Sequence, residues 1–300
     1  MRAYRARFAD SAARDRDPSL PASHAITSKE NRWLKRFRAA LAGEPDEANA
    51  VGIEGPRLLE EALGSGVDTL AILVCPAGEK HLAPLGLAEP RAAGPPLLRT
   101  TDRLFASLAA TEAPQGIAAL VRLPEHSFDD LVRGVPLVPV LFGVQDPGNV
   151  GAIVRSADAF GATGIVTVPP SASPYGPKAV RASAGSVFRL PTLVRAQVPV
   201  LLAQLRVAGL KLVATTTSGG VPGVPTVSLE SVDLRGPAAV LIGSEARGLP
   251  PEVLGSADLA IRIQHSPTVQ SLNAAVAASV VLYEAGRQRS SSWRNRPNQS

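Results

Sequence analysis

A short polar segment, Gln145 to Asn149, is the first place in this sequence where side chains are grouped for chemistry. It follows an apolar run at residues 138–142 and precedes a run of helical periodicity that contains Arg155. Open α/β proteins bind their ligands in loops where sheet strands end. The segment therefore predicts a ligand site. An ordinary strand-to-helix turn is the alternative, because Asp-Pro-Gly-Asn is common turn chemistry.

The surrounding sequence alternates between strand-like and helix-like patterns. The predicted strands are residues 137–142, 164–168, 210–214, 238–243 and 259–263, and the predicted helices are residues 149–160, 177–184, 198–208 and 271–286. Such alternation is typical of a mostly parallel sheet that helices cover on both faces. We therefore predict an α/β domain at residues 137–288, followed by a disordered tail at 289–300.

A smaller α/β domain is predicted at residues 25–121, after a basic arm at 1–24 that we expect to be disordered. Thr27 and Glu30 have the spacing of a capping box, which predicts the start of an amphipathic basic helix. The other predicted elements are strands at 50–53, 69–75 and 116–121 and helices at 56–63 and 102–110. Residues 122–136 contain prolines, a glycine and several charges, and they predict a linker.

Positive charge is concentrated at the two ends of the chain. The net charge is +5, yet residues 1–40 hold ten Lys or Arg against four Asp or Glu, and residues 286–300 hold four Arg and no acid. Basic ends are typical of proteins that bind a polyanion such as RNA, although solubilising tails are an alternative. Aromatic residues make up only 4% of the chain, which disfavours a base-stacking platform.

Several classes of protein are disfavoured by what the sequence lacks. The single cysteine, Cys75, excludes an intramolecular disulfide framework and a multi-cysteine metal site, and we expect a cytoplasmic protein. No apolar run is long enough to span a bilayer, and the N-terminus has no secretory signal, although a transit peptide is an alternative reading of the arm. Nucleotide-binding glycine motifs and zinc motifs are absent. The G-x-S-x-G hydrolase motif fails because position 181 is Arg.

Three segments of the larger domain together resemble one family. They are NVGAIVRSADAFG at 149–161, VLIGSEARGLP at 240–250 and IRIQHSPTVQSLNAAVAASVVLYEA at 261–285. In order and spacing they are similar to the SpoU/TrmH family of RNA ribose 2′-O-methyltransferases, within the SPOUT superfamily. Residues 27–121, with GIEGPRLLEEAL and TEAPQGIAALV, resemble the N-terminal substrate-binding domain of the rRNA-modifying members.

The resemblance implies a fold and a reaction that the patterns alone do not give. It implies a C-terminal α/β trefoil-knot methyltransferase domain, a small N-terminal α/β domain that binds the substrate RNA, and a homodimer formed through the knotted domain. It also implies that S-adenosylmethionine donates the methyl group and that no metal is needed. The implied function is methylation of a ribose 2′-OH, most simply in 23S ribosomal RNA. A tRNA methyltransferase and a noncatalytic RNA-binding relative are the alternatives.

The catalytic and cofactor-binding candidates follow from matching this sequence to the family's motifs, whereas the RNA-binding candidates follow from positive charge in the N-terminal domain. The catalytic candidates are Arg155, Asn149, Glu245, Ser271 and Asn273, the cofactor-binding candidates are Gly220, Gly243, Ile263 and Leu272, and the RNA-binding candidates are Lys29, Arg32, Lys35, Arg36 and Arg57. We expect Asn149 to cap the helix and Arg155 to point inward from it. For Gly243 we expect close approach of the ligand to the backbone. Core packing is the alternative for Ile263 and Leu272, and an N-cap role is the alternative for Ser271.

Two features of the site depart from simple expectation. By resemblance Arg155 acts on the hydroxyl with help from an RNA phosphate, but a guanidinium holds its proton tightly, so orienting the phosphate and stabilising alkoxide charge is the alternative. Family members usually have Pro-Met where this chain has Gln264-His265, and often a Gly where it has Pro267. These changes touch the adenine side of the cofactor pocket. His265 as a proton acceptor is disfavoured, because the family does not use a His there.

Overall fold

The computed structural model describes residues 23–44, 49–88, 94–217, 223–245, 247–266 and 268–289. The chain divides into two compact units, residues 1–124 (unit 1) and residues 125–300 (unit 2). Both are mixtures of helices and strands, which confirms the predicted α/β class. None of the described helices is both long and apolar enough to cross a membrane.

Unit 1 is built on a five-stranded sheet in the order β1-β4-β3-β5-β2. Its elements are β1 (Ser23–Ile26), α1 (Arg32–Ala42), β2 (Ala50–Glu54), α2 (Pro56–Ser65), β3 (Thr69–Val74), β4 (Leu97–Thr100), α3 (Asp102–Ala106) and β5 (Ile117–Arg122). Strands β1, β4 and β3 are parallel, whereas β5 is antiparallel to both of its neighbours. Because β1 begins at Ser23, the predicted arm ends earlier than residue 24; its remainder, 1–22, lies outside the described residues.

Helix α1 is held to the sheet by its apolar face. Leu34, Phe37 and Leu41 are buried in the core of unit 1, with spacings of three and four residues that place them on one side of the helix. The helix does not begin at the predicted Thr27–Glu30 box. Asn31 is the N-cap, and its side-chain oxygen accepts a hydrogen bond from the backbone N–H of Trp33 at 2.9 Å.

Unit 2 contains a seven-stranded sheet in the order β10-β12-β9-β11-β6-β7-β8, and all neighbouring strands are parallel. Its strands are β6 (Leu137–Phe142), β7 (Ile165–Val168), β8 (Thr192–Leu193), β9 (Lys211–Thr215), β10 (Thr226–Ser228), β11 (Ala238–Gly243) and β12 (Leu259–Arg262). Its helices are α4 (Phe128–Leu131), α5 (Pro147–Ala159), α6 (Pro177–Ser183), α7 (Val198–Val207), α8 (Pro251–Leu254) and α9 (Ala274–Arg289). Every residue of β6 is buried, as continuous apolar runs in parallel sheets require. The trefoil threading stays a prediction of the resemblance.

The predicted linker at 122–136 is largely part of unit 2. Arg122 still belongs to β5, but α4 follows after a few residues and begins with a capping box between Ser127 and Asp130. Leu131 is fully buried in the unit 2 core together with Val138 and Val140. The prolines, glycine and charges of the segment obscure the apolar residues Phe128, Leu131 and Val132, which pack in this core, and this explains why a linker is predicted there.

The end of α9 is anchored, so residue 289 belongs to the helix and not to the predicted tail; the rest of that tail, 290–300, lies outside the described residues. The Arg289 guanidinium donates to the carbonyl oxygens of Leu234 at 2.7 Å, Val135 at 3.1 Å and Pro136 at 3.2 Å, and also to that of Gly236. Partial burial lowers the pKa of Arg289 from its usual value. One side chain thus joins the last helix to the residues that lead into β6 and β11.

Candidate active site

The candidate residues of unit 2 lie at the carboxyl ends of parallel strands. Strands β6 and β11 are neighbours, and β12 is separated from β11 only by β9. Helix α5 begins after β6, a tight turn at residues 244–248 follows β11, and the segment leading to α9 follows β12. Because parallel strands end at the same edge, three segments far apart in sequence meet there.

Helix α5 begins at Asp146 rather than at the predicted cap Asn149. The Asp146 carboxylate accepts from the backbone N–H of Gly148, and Pro147 occupies the first helical position. Lys178 of α6 donates to both carboxylate oxygens of Asp146, at 3.1 and 3.3 Å. The Lys178 ammonium and the Gly148 N–H hold the pKa of Asp146 below its usual range. Asn149 lies in the first turn, so its side chain is available for other contacts.

The turn after β11 explains Gly243 in a different way from the prediction. Ser244 and Gly248 exchange two backbone hydrogen bonds, of 3.2 and 2.9 Å, which fold the chain back on the strand end. A Cβ on Gly243 would lie 2.2 Å from the carbonyl carbon of Gly248 and 2.4 Å from the nitrogen of Leu249. The glycine is therefore required by the chain's own backbone, and the approach of a ligand to it stays a prediction.

Three of the predicted catalytic residues form one hydrogen-bonded chain. The Asn149 Nδ2 donates to Glu245 Oε1, and the Asn273 Nδ2 donates to Asn149 Oδ1 at 3.2 Å. All three side chains lie in loops or at helix starts on the same sheet edge. This contact joins the three sequence segments that carry the family resemblance.

Asn273 also provides the cap of α9. Its Oδ1 accepts from the backbone N–H groups of Ala275 at 2.9 Å and Val276 at 3.2 Å. The alternative role considered for Ser271, the N-cap of the last helix, is therefore wrong. Ser271 is exposed, two residues before the cap.

Arg155 does not point inward as predicted; it lies on the exposed surface of α5. Its guanidinium makes no hydrogen bond or ion pair with another described residue. The neighbouring turns of α5 are fixed by close packing, because a Cβ on Gly151 would lie 2.3 Å from the carbonyl oxygen of Ala179. Ser156 Oγ is 2.7 Å from Ser279 Oγ of α9. The helix that carries Arg155 is therefore held on two sides while the side chain itself is exposed.

The apolar cofactor candidates are only half buried. Ile263 and Leu272 both keep part of their surface exposed, which argues against the alternative of simple core packing. The carbonyl oxygen of Ile263 lies 2.9 Å from Nδ1 of His265. Gly220 lies outside the described residues. In the described part of the chain no group of three His, Cys, Asp or Glu side chains is placed to hold a metal ion.

The basic candidates of unit 1 are mostly exposed. Lys29 precedes α1, Arg32 and Lys35 lie on its exposed side, and Arg57 lies at the start of α2. The Lys35 ammonium is 2.5 Å from a Glu30 carboxylate oxygen. Arg36 is half buried, with its guanidinium 5.5 Å from the centre of the Trp33 ring. These side chains do not converge on one point. A surface that contacts successive phosphates does not require such convergence.

Sequence reasoning missed the pair formed by Asp146 and Lys178. The signal was present, because an Asp followed by Pro is a common start of a helix. The resemblance instead directs attention to Asn149, which matches the family's motif and is predicted as the cap. The partner Lys178 is 32 residues away and has no local signal.

Both units match families of known proteins. The model of the SpoU rRNA Methylase family matches residues 136–283, and that of the MRM3-like substrate binding domain matches residues 44–119. A 23S rRNA (guanosine(2553)-2′-O)-methyltransferase of Bacillus subtilis is 32% identical over 86% of this chain and 97% of its own length. A 23S rRNA (uridine(2479)-2′-O)-methyltransferase of Streptomyces viridochromogenes is 32% identical over 92% and 96%. The solved structure of the SpoU methyltransferase AviRb of that organism, in complex with AdoMet, is 30% identical over 87% and 98%, with a TM-score of 0.74.

Proposed function

We propose that this chain, which belongs to the SpoU rRNA methylase family, methylates a ribose 2′-OH of 23S ribosomal RNA with S-adenosylmethionine as donor. The observation that carries the proposal is the hydrogen-bonded chain from Asn273 through Asn149 to Glu245. It assembles the family's three motif segments at one sheet edge. We propose a cytoplasmic location, which is compatible with a ribosomal substrate.

The reaction needs little from the protein beyond placement and proton handling. S-adenosylmethionine supplies a methyl group on a positively charged sulfur, so we expect no metal requirement. Ile263 and Leu272 offer half-buried apolar surface for the adenosine part, and this fit supports a binding site beside the turn at 244–248. Arg155, exposed on α5, is proposed to bind an RNA phosphate and to stabilise negative charge on the attacking oxygen. Ser271 is proposed to help position the nucleotide.

Methyl transfer is tested directly with labelled donor. The protein is incubated with tritiated S-adenosylmethionine and either 23S rRNA or total tRNA, each isolated from a strain that lacks the gene. We expect label in 23S rRNA and none in tRNA. Label in tRNA alone would favour the alternative substrate, and no label in either RNA with folded protein would overturn the proposal.

A noncatalytic RNA-binding role is the second candidate, and one observation favours it. His265, at a departure from the family pattern, hydrogen-bonds the Ile263 carbonyl beside the proposed cofactor site. Isothermal titration with S-adenosylmethionine separates the two candidates. Saturable binding at one site per chain supports the enzyme, whereas no heat of binding supports the noncatalytic role.

We further propose a homodimer formed through α9. Three apolar side chains are exposed on this helix, Val276 at 50%, Val280 at 36% and Tyr283 at 54%. Their spacing of four and three residues places them on one face, and the Tyr283 ring packs edge-on against Phe160 at 5.6 Å. A second copy of this face is the proposed cover. Light scattering is expected to give the dimer mass for the wild type and the monomer mass for Val280→Asp; a monomeric wild type at micromolar concentration would contradict it.

A further inference from the structure

The position of Glu245 is fixed from two sides. The turn that carries it is closed by the paired backbone bonds of Ser244 and Gly248, and the N–H of Arg247 also donates to Ser244 Oγ at 3.2 Å. The turn lies directly against Gly243, where there is no room for a Cβ. Glu245 is therefore on a short, closed turn, and its carboxylate reaches Asn149 of another segment.

The hydrogen bonds that reach Glu245 run in one direction. They start at the backbone N–H groups of Ala275 and Val276, which can only donate, so the Asn273 oxygen must face them. The Asn273 Nδ2 is left to donate to the Asn149 oxygen, and the Asn149 Nδ2 is left to donate to Glu245 Oε1. The chain ends on Glu245 Oε1, which accepts the last hydrogen bond.

Glu245 keeps one oxygen that meets no partner among the described residues. Only Oε1 receives the Asn149 amide, so Oε2 is left as an acceptor on the exposed side of the turn. The other carboxylate of this edge is different, because Lys178 binds both oxygens of Asp146 and Gly148 binds one of them.

Arg155 cannot accept the proton of the 2′-hydroxyl, whereas Glu245 can. The proposed methylation releases the proton of the 2′-OH, and the guanidinium of Arg155 has no acceptor atom. Resting on the proposed function, we infer that Glu245 is the general base, which accepts the ribose 2′-hydroxyl proton on Oε2. Asn149 and Asn273 are then positioning residues that hold its carboxylate.

The methyl transfer forms one bond and breaks another, and one proton moves. The 2′-oxygen forms a bond to the methyl carbon while the carbon–sulfur bond breaks, and the electron pair of that bond stays on sulfur. The hydroxyl proton moves to Glu245 Oε2. The positive charge of the donor is thereby lost, and the carboxylic acid returns its proton to water because the side chain is exposed.

The first test compares Glu245→Gln with Glu252→Gln in single-turnover methyl transfer. Gln keeps an oxygen that accepts from Asn149 but cannot take a proton, and Glu252 is an exposed carboxylate on α8 away from the network. We expect a loss of about 10²- to 10⁴-fold for Glu245→Gln, the range of general-base catalysis, and less than about twofold for Glu252→Gln. The wild-type rate should fall in acid, and Glu245→Gln should lose that dependence. A purely structural role would lower the rate equally at every pH.

The second test measures the binding of an RNA fragment in the absence of the methyl donor. Once the methylated nucleotide is mapped, a fragment with the 2′-OH is compared with the same fragment carrying 2′-deoxyribose there. A hydrogen bond to a carboxylate should favour the hydroxyl by about tenfold in the wild type, and by less than about threefold in Glu245→Gln. Circular dichroism melts of both variants confirm that they are folded.

A wrong role for Glu245 and a wrong proposed function would give different results. A wild type that methylates rRNA, with Glu245→Gln at undiminished rate, overturns the role of Glu245 alone. The same holds if His265→Ala abolishes the rate and its acid dependence while Glu245→Gln does not. A wild type that methylates no RNA overturns both proposals together.

Discussion

Unit 2 assembles its candidate residues from three distant segments, whereas unit 1 carries most of its basic candidates on and beside one helix. Asn149 is 96 residues from Glu245 and 124 residues from Asn273, yet the three side chains are hydrogen-bonded. Lys29, Arg32, Lys35 and Arg36 lie within eight consecutive positions. Chemistry on one hydroxyl needs converging groups, while attraction of a polyanion needs only charge on a surface. The two units should therefore respond differently to mutation, in rate for unit 2 and in affinity for unit 1.

Among the basic residues of the two units, the largest effect is expected from Arg155→Ala. Loss of a cation that stabilises negative charge in the transition state should lower kcat by about 10²- to 10³-fold. Affinity for S-adenosylmethionine, measured by calorimetry, should change little. Lys211→Ala, which removes an exposed cation at the opposite end of the sheet, is the control and should behave as wild type. Undiminished turnover of Arg155→Ala would remove this residue from the chemistry and would weaken the contrast between the units.

Charge removal in unit 1 should act on binding alone. The triple variant Lys29→Ala, Arg32→Ala, Lys35→Ala should bind rRNA roughly tenfold or more weakly at low salt, with a salt dependence less steep by up to about three counterions. Filter binding over a salt series measures both values. At saturating RNA the single-turnover rate should equal that of the wild type. A fall in that rate would contradict the assignment of RNA binding to unit 1 and of catalysis to unit 2. Lys80→Ala controls for general loss of charge in unit 1.

Removal of the Arg289 guanidinium tests how far unit 2 depends on one contact. Arg289→Ala loses hydrogen bonds to four carbonyl oxygens and should reduce the free energy of unfolding by about 2–3 kcal/mol. The melting temperature of unit 2 should fall by about 5–10 °C. Arg287→Ala is the matched control, because Arg287 donates to Glu284, which lies on the same helix. Equal melting temperatures for the two variants would show that the anchor is dispensable.

The smallest effect concerns the start of α5 and depends on pH. The pKa of Asp146 is lowered in the folded protein, chiefly by Lys178, so its contribution to stability is present at neutral pH and is lost as the pH falls through the carboxyl range. Asp146→Asn should melt a few degrees below the wild type at pH 7, and the difference should shrink towards pH 3. A constant difference across this range would mean that the Lys178 pair contributes nothing.

The long elements of unit 2 were predictable because their signals are local. Strands β6 and β11 are continuous apolar runs, and both occupy the residues that the sequence predicts. Strands β1 and β4 were missed, since each has four residues and depends on pairing with a distant strand. Side-chain contacts were harder still. Periodicity places Arg155 on α5 but says nothing about exposure, and only a resemblance to a family links Asn149 with Asn273.

The Arg289 anchor also has a consequence for the order in which the chain becomes folded during synthesis. Unit 1 ends at residue 124, so all of its strands have been made before the 165 residues from 125 to 289 are added. At roughly 5–20 residues per second, unit 1 has about 8–33 s in which to fold alone. Arg289, which binds the carbonyl oxygens of Val135 and Pro136, is added only at the end of that interval. Ribosome-bound chains stalled after residue 124 should therefore protect unit 1 from protease, while those stalled within α9 should leave unit 2 sensitive.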